Sequence, residues 1–296
     1  MPLSPKSLLL DVASINDEII VVGERGHILK SRDEGNTWRQ IVTPTRATLT
    51  NVRFLDDRYG WASGHSGVIL STSDGGDSWD IITDVDPEIS YFDTWFFDEW
   101  NGIFIGAYGE YATTDDAAES LKKEWISEEE LHFYDISSSP DGTLYIAGEA
   151  GQLLKSDNKG RTWKTIDLPY SGSLFGILTL NDNTLLTYGL RGHLLRSMNG
   201  GKSWTTVEID TTEMLTDAVV LGSGTIVIST ITETLLLSSD GGVSFHTLNQ
   251  DGIDGTVALA ESSSGSTVFL CGRHGVLPVA TELLETALKA ADASND

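Results

Sequence analysis

The chain has 296 residues, with 44 Asp and Glu against 19 Lys and Arg, and its net charge is −25. Such a surface repels nucleic acid phosphates and anionic lipid headgroups, so both are excluded as expected partners. Hydrophobic residues make up 40% of the chain, which is enough to build a buried core. The one cysteine, Cys271, cannot form an internal disulfide, and the apolar run "TVFLCGR" around it favours a buried thiol over a nucleophile. Cys and His residues show no zinc spacing, so we expect neither a metal nor a cofactor.

The sequence contains no stretch that is long and apolar enough to cross a membrane, so we expect no direct membrane insertion. The N-terminal run "MPLSPKSLLLDVAS" is interrupted by Asp11 before it reaches the length of a signal-peptide core. A cytosolic protein and a mature exported protein that has lost its leader both fit this pattern.

Two signatures recur along the chain, one copy every 41 or 42 residues. The first is Gly-x-x-Gly followed by apolar residues, and its copies start at residues 23, 64, 106, 148, 189, 230 and 272, the sixth in the degenerate form "TITETLL". The second is Ser/Thr-x-Asp-x-Gly-x-Thr/Ser-Trp, called the Asp turn below. Full copies are "SRDEGNTW" (31–38) and "TSDGGDSW" (72–79), and weaker ones are "SDNKGRTW" (156–163), "SMNGGKSW" (197–204) and "SSDGGVSF" (238–245). In each of these five units the aromatic residue follows the first position of the Gly-x-x-Gly signature by 15 residues, and in "TITETLL" that position is Thr230.

Each unit predicts four short strands joined by hairpin-length turns, and such turns make neighbouring strands antiparallel. We therefore predict an all-β fold, a seven-bladed β-propeller of four-stranded blades over residues 1–280, with a C-terminal tail of helical propensity over 281–296. The seventh unit has no obvious fourth strand, and we predict that residues 2–7 supply it by pairing with 276–280. In the third unit 19 residues separate Gly106 from Trp125, which predicts that its Asp turn is lost. Residues 115–130 are predicted to form a short helix or an excursion from the rim.

The Asp turn is interpreted as a structural link between the third and fourth strands of a blade. In the first copy Asp33 would accept N–H groups from its own loop and from Thr37, Gly35 would supply a positive φ, and Trp38 would bury its ring between blades. The residues given this structural role are Asp33, Trp38, Asp74, Trp79, Asn158, Trp163, Asn199, Trp204 and Asp240.

These turns resemble the Asp-box, or bacterial neuraminidase repeat. Together with the order "GWASG…GVILSTSDGGDSW", the chain resembles the photosystem II stability and assembly factor family of seven-bladed propellers over residues 8 to 280. The resemblance implies a non-enzymatic scaffold, monomeric by itself, that binds a membrane protein or its complex during assembly. It also implies a mature exported protein that is periplasmic or membrane-associated, although no signal peptide is visible in this chain.

A glycoside hydrolase is the alternative, because Asp-boxes also occur in sialidases and other glycosidases. A sialidase site needs converging arginines, yet the predicted inner strands carry only Arg53, and no Phe/Tyr-Arg-Ile-Pro motif is present. A glycosidase that uses paired carboxylates stays open, since Asp and Glu are abundant.

Antiparallel strand order places the Gly-x-x-Gly tips and the starts of the inner strands on one face, opposite the Asp turns. We predict that this face binds the partner, and that its basic tips select an acidic patch; ordinary solvated hairpins are the alternative. The candidate binding residues are the tips Arg25, His65, Tyr108, Arg191, Arg273 and His274 and the aromatic residues Phe92, Tyr134 and Phe175. A ring of Asp11, Asn51, Asp93, Asp135 and Asp217, with Gly176 in the fifth unit, is predicted at the channel mouth. For this ring we favour structural ties between blades over a cation or ligand site.

Overall fold

The computed structural model describes residues 4–82 and 86–295. These residues form seven antiparallel sheets, each following the order of its strands in the chain. The first strand of each sheet packs beside the first strands of its two neighbours, and the seventh sheet packs beside the first. The prediction of a seven-bladed β-propeller is therefore confirmed.

The strands of each blade follow one another from the channel outward. Blade one contains β1 (Leu9–Ile15), β2 (Glu18–Gly23), β3 (Ile28–Ser31) and β4 (Arg39–Ile41). Blade two contains β5 (Leu49–Phe54), β6 (Gly60–Gly64), β7 (Ile69–Thr72) and β8 (Asp80–Ile81). Blade three contains β9 (Tyr91–Phe96), β10 (Gly102–Gly106), β11 (Tyr111–Thr114) and β12 (Lys122–Lys123). Blade four contains β13 (Phe133–Ser138), β14 (Leu144–Gly148), β15 (Leu153–Ser156) and β16 (Lys164–Thr165).

The remaining blades follow the same plan, except that the last has three strands among the described residues. Blade five contains β17 (Leu174–Thr179), β18 (Leu185–Gly189), β19 (Leu194–Ser197) and β20 (Thr205–Thr206). Blade six contains β21 (Leu215–Val220), β22 (Ile226–Thr230), β23 (Thr234–Ser238) and β24 (His246–Asn249). Blade seven contains β25 (Thr256–Glu261), β26 (Thr267–Gly272) and β27 (Gly275–Ala280), and α1 (Thr281–Asn295) follows.

The core lies between blades because the second strand of each blade is covered on both faces. Every residue of β6, β10, β14, β18 and β22 is buried. Their apolar side chains join those of neighbouring blades, as where Ile20 of β2 packs with Ala62 of β6 and Trp79. Burial of these side chains from water is what holds successive blades together.

The Asp turn is built from local hydrogen bonds that repeat from blade to blade. Asp33 accepts the Thr37 N–H at 2.8 Å and the Thr37 hydroxyl at 2.6 Å, while the Ser31 hydroxyl accepts the Gly35 N–H at 2.9 Å. Trp38 packs edge-on against Phe269 of blade seven, with ring centroids 6.3 Å apart. The polar side chains of this turn thus satisfy the hydrogen-bonding groups of their own loop, and the tryptophan packs against the preceding blade.

Blade three retains this turn, so the expectation that its Asp turn is lost was wrong. Asp116 accepts the Ser120 N–H at 2.9 Å and the Ser120 hydroxyl at 2.6 Å, and the Thr114 hydroxyl accepts the Ala118 N–H at 2.9 Å. Ala118, with φ of 72°, occupies the position that glycine holds in the other turns. Leu121 occupies the position of the aromatic residue and follows Gly106 by the usual spacing. Trp125 belongs to the following connection instead and is 72% exposed.

The ring is not closed by the predicted fourth strand of blade seven over the described residues. Residues 2 and 3 lie outside the described residues, and Ser4–Lys6 forms a turn of 3₁₀ helix, so no strand pairing with 276–280 forms over these described residues. The segment lies over Gly275, as the connection at Thr45 lies over Gly26 in blade one. The N-terminal segment therefore takes the place of a connection between blades, not of a strand.

The helix α1 packs against blades six and seven. Leu284 and Leu288 are buried among Leu235 of β23, Leu270 of β26 and Val279 of β27. Near the end of the helix, Asp292 accepts hydrogen bonds from His246 at 2.8 Å and Ser239 at 3.1 Å. The predicted tail thus contributes two leucines to the junction between the last two blades.

Candidate functional site

Four aspartates near the starts of the inner strands hold neighbouring blades together. Each accepts a hydrogen bond from a backbone N–H of a first strand in the next blade. The pairs are Asp11–Val52 (2.7 Å), Asp93–Ile136 (2.9 Å), Asp135–Ile177 (2.6 Å) and Asp217–Leu259 (2.6 Å). We call these four residues the channel carboxylates. Their contacts support the structural interpretation over a free ligand site.

The other two ring positions fit the same scheme. Asn51 donates to Asp93 at 2.7 Å and to Asp11 at 3.1 Å, so it links blades one, two and three. At Gly176 there is no carboxylate, and the Tyr188 hydroxyl fills the space that a Cβ there would need while donating to Asp217 at 3.3 Å.

The pKa values of the channel carboxylates are raised. Burial raises the pKa of Asp11 to about 8 against opposing hydrogen bonds from backbone N–H groups, and raises that of Asp217 to about 7 in the same way. Burial also raises the pKa of Asp93, although Arg53 opposes the shift, and burial together with the charge of Asp93 raises the pKa of Asp135 well above its usual value. The channel is thus less negative at neutral pH than its composition indicates.

The inner strands surround a channel with a volume of about 730 Å³. Arg53 faces it, with its guanidinium 3.8 Å from Asp93, a hydrogen bond to the Thr94 carbonyl at 3.3 Å, and its charge 4.3 Å from the Trp95 ring centroid. Through these contacts Arg53, in blade two, binds to residues of blade three and links the two blades. They do not give the converging arginines that a sialidase needs.

An aromatic cluster covers the channel mouth at blades three to five. Phe92 stacks on Tyr134 with ring centroids 5.9 Å apart, and Tyr134 contacts Phe175 at 5.2 Å. His132 lies 6.0 Å from the rings of both Phe92 and Tyr134 and 4.7 Å from the ring of Tyr108, whose backbone N–H it accepts at 2.8 Å. We call these five residues the mouth cluster; Tyr108 is 68% exposed and the others are half-buried.

His132 was missed in the sequence analysis, although the repeat register contains a signal for it. Its backbone carbonyl accepts the Glu149 N–H, as that of Ser90 accepts the Ala107 N–H one blade earlier. The equivalent position in other blades is held by Leu8, Ser90 or Ser173, so the imidazole of His132 is an exception to the repeat that indicates a functional residue.

The predicted basic tips do not form one patch with the mouth cluster. Arg25 lies on blade one next to Glu24, and Arg191 lies on blade five. On blade seven, Asp254 pairs with both Arg273 and His274.

Of the predicted tips, His65 and Tyr108 do join the aromatic residues. His65 contacts Phe92 with ring centroids 6.4 Å apart and exchanges a hydrogen bond with Ser90 at 2.9 Å. The structure therefore groups aromatic tips, not basic ones, around the channel mouth.

On the opposite face, a cluster of charges between blades one and two is engaged within the protein. Asp77 of the second Asp turn is paired with Lys30, Arg32 and Arg39 of blade one. Lys30 is buried and is also paired with Glu18 at 2.6 Å. Burial of such a charge is tolerated because its ammonium group is surrounded by acceptors.

Among proteins of known role, one similar in sequence is the chloroplastic photosystem II stability/assembly factor HCF136 of Oryza sativa subsp. japonica. It is 33% identical to the chain over 91 residues. The chain is similar to the photosystem II stability/assembly factors. The match takes in 28% of this chain and 22% of the rice protein, so it spans about a fifth of that relative's length. No protein-family model matches the chain.

Solved structures share the fold over nearly the whole chain. A structure described as YCF48 bound to D1 peptide superposes with a TM-score of 0.74 at 19% identity, over 92% of this chain and 91% of that one. A streptogramin B lyase superposes with a TM-score of 0.79 at 12% identity, over 92% of this chain and 93% of that one. These likenesses establish the propeller fold and leave function to be argued from the site.

Two further properties concern the described residues. Within 4–82 and 86–295, no helix is long and apolar enough to span a bilayer. The same residues hold no group of three or more His, Cys, Asp or Glu side chains placed to bind a metal ion.

Proposed function

We propose that this chain is a non-enzymatic scaffold that binds a protein partner on its Gly-x-x-Gly face and assists the assembly of a membrane protein complex. The observation that carries the proposal is the mouth cluster, in which five rings from neighbouring blades lie side by side around an exposed tyrosine. Aromatic side chains supply large contact area at low cost in conformational entropy, and they commonly anchor interfaces. The similarity to photosystem II assembly factors supports the role in assembly.

The two faces differ in what they offer a partner. On the Asp-turn face, side chains such as Asp33 and Asp77 are occupied by their own turns and by cations of the protein. On the Gly-x-x-Gly face, the tip residues Arg25, Tyr108 and Arg191 are exposed. Tyr and Arg are residue types that commonly anchor interfaces.

The glycosidase alternative is not favoured by this arrangement. A retaining or inverting glycosidase needs two carboxyl groups that are free to reach substrate. Here each channel carboxylate holds a backbone N–H of the next blade. The relatives found by sequence similarity are named as photosystem II assembly factors, which supports a scaffold.

A pull-down from the native membrane fraction tests the proposal with two matched aromatic substitutions. Tyr108→Ala removes an exposed ring from the Gly-x-x-Gly face, and Trp100→Ala removes a ring that is 54% exposed on the opposite face. We expect Tyr108→Ala to reduce the amount of captured partner by about tenfold, within the range of an interface hot spot. Trp100→Ala should leave it unchanged.

Two results would count against this proposal. Loss of partner with Trp100→Ala alone would move the binding surface to the Asp-turn face. Hydrolysis of a chromogenic glycoside that disappears in Asp135→Asn, with the melting temperature preserved, would make the chain an enzyme.

A further inference from the structure

A groove lies on the Gly-x-x-Gly face, beside the mouth cluster, between the third and fourth blades. One wall is the connection 124–132, which we call the excursion, and it is held against blade four by a hydrogen bond from Gln152 to Ser127 at 2.7 Å. The other wall is the segment 165–170 that follows the outermost strand of blade four. The groove has a volume of about 510 Å³, and ligand pockets commonly measure about 300–1,000 Å³.

The lining of this groove has a distinct chemical character. Its apolar residues are Ile126, Leu131, Ala150, Ile166, Leu168 and Tyr170. Its charged residues are Glu128, Glu129 and Asp167, all exposed, and no Lys or Arg is among the described residues that line it. An apolar floor with an acidic rim is complementary to a segment that carries both apolar and cationic side chains.

An exposed aromatic ring lies close to both the groove and the mouth cluster. Trp125, 72% exposed, precedes the groove residue Ile126 in the chain, and its ring lies 3.7 Å from the position a Cβ would take on Gly109. Gly109 follows Tyr108 in the chain, so Trp125 lies beside the hairpin tip that carries Tyr108. The faces of Trp and Tyr rings attract ammonium and guanidinium groups.

We infer that this groove binds an extended segment of the partner in which Lys or Arg residues alternate with apolar ones. The inference rests on the proposed function and names the chemistry of the partner. It reverses the earlier expectation that basic tips select an acidic patch, because acidic side chains line the groove while Arg273 is already paired with Asp254. Of the basic tips, Arg191 adjoins the groove, since Tyr170 donates to the Leu190 carbonyl at 2.9 Å. An acidic segment would meet three carboxylates and a chain of net charge −25, so it would be repelled.

Fluorescence anisotropy with three labelled peptides tests the inference directly. The probes are a ten-residue peptide of alternating Lys and Leu, one of alternating Glu and Leu, and one of alternating Lys and Ser. At physiological ionic strength, where long-range attraction is screened beyond about 8 Å, we expect the Lys–Leu peptide to bind and the other two to bind at least about tenfold more weakly.

A matched pair of charge reversals separates the groove from general attraction to an acidic protein. Glu128→Lys with Asp167→Lys should weaken the Lys–Leu peptide by about tenfold. Glu208→Lys with Glu213→Lys changes the net charge equally at exposed positions outside the groove and should weaken it by less than about twofold. If the first variant does not fold, Glu128→Gln with Asp167→Asn gives the same comparison with smaller charge changes.

Several outcomes would overturn the inference. Equal weakening by both variants would mean unspecific attraction, and equal binding of the Lys–Ser peptide would mean that the apolar floor is unused. Concentration-dependent dimers that the groove variant abolishes would make a second copy the occupant.

Failure of the inference is distinguishable from failure of the proposed function. A native partner that depends on Tyr108 but not on Glu128 and Asp167 would leave the scaffold standing and remove the groove from its interface. Peptide binding in the groove without any partner in the pull-down would support the groove as a peptide site and count against the scaffold function.

Discussion

The backbone carbonyl of Pro5 occupies the space that a Cβ on Gly275 would need. Equivalent contacts recur after blades one, two, four and five, where the connection to the next blade lies over the second glycine of the preceding hairpin, as Thr45 lies over Gly26. The chain therefore closes its circle by placing its N-terminal segment where a connection from blade seven to blade one would run. Closure depends on backbone packing at one glycine and on the side chains between these two blades.

Gly275→Ala is expected to destabilise the propeller, and Gly224→Ala is its matched control. Both glycines have positive φ, 96° and 88°, so both substitutions incur a backbone cost of about 1 kcal/mol. Only Gly275 also meets backbone within contact distance, which adds about 1–3 kcal/mol, whereas Gly224 has open space. Chemical denaturation of both variants measures the difference, and equal losses would show that the N-terminal segment does not pack there in solution.

Asp116→Ala tests whether blade three uses the same turn as its neighbours. The substitution removes two hydrogen bonds from Ser120, so we expect it to lower the free energy of unfolding by about 1–3 kcal/mol. Asp115→Ala is the control, because that carboxylate makes an exposed ion pair with Lys122, a kind of contact that contributes about 0–1 kcal/mol. Indistinguishable urea midpoints for the two variants would show that the Asp116 turn does not stabilise blade three.

Trp163→Ala and Trp125→Ala compare the same substitution in two environments. Trp163 packs edge-on against Tyr111 of blade three at 5.9 Å, so its removal should cost about 3 kcal/mol, at the low end for buried aromatic residues because the ring is half-buried. Trp125 is exposed, so its removal should change the melting temperature little. A larger loss at Trp125 would mean that the excursion supports the fold.

The channel carboxylates predict that stability falls as pH rises toward 8. The pKa values of Asp11 and Asp217 are raised to about 8 and about 7 in the folded state, so the folded protein binds protons more tightly than the unfolded chain. This contribution is complete below the ordinary pKa of about 4 and is lost as pH rises through the folded values, at up to about 1.4 kcal/mol per pH unit for each proton.

The Asp turns act in the opposite direction at low pH. Although burial opposes the shift, hydrogen bonds from Ser78 lower the pKa of Asp74 to about 2. The stability that Asp74 contributes is therefore fully present above the ordinary pKa of about 4, and it is lost as pH falls through the folded pKa of about 2. Melting temperatures from pH 2 to 9 should therefore peak in mildly acidic buffer. Asp217→Asn should flatten the alkaline side, while the exposed control Asp80→Asn should not, and a profile that rises to pH 8 would contradict the raised values.

The repeat made most of the fold predictable, and its exceptions show the limits. The spacing from first glycine to tryptophan fixed the blade boundaries, because turn chemistry and strand length repeat together. In blade three the turn around Asp116 was not predictable from the motif, because Ala118, in left-handed conformation, and Leu121 replace its glycine and tryptophan. Closure by the N-terminal segment was not predictable, because a 3₁₀ turn over Gly275 leaves no strand pattern.

The site was predictable where it follows the repeat and not where it joins unrelated loops. Phe92, Tyr134 and Phe175 occupy one register position in three blades, so their adjacency could be read from the spacing. The groove depends on Ser127 meeting Gln152, two polar residues whose contact no periodicity indicates. The pairing of Arg273 with Asp254 likewise comes from a loop that the pattern does not describe.

The left-handed backbone at the hairpin tips limits which amino acids the binding face can present. Arg25, Ser66, Tyr108, Ala150 and Arg191 all have φ between 54° and 60°, a region that β-branched side chains avoid. Variation of these positions, whether by evolution or in a library built to give the propeller a new target, is therefore confined to a restricted set. Such a library should exclude Val, Ile, Thr and Pro at the tips and place its diversity in connections such as the excursion.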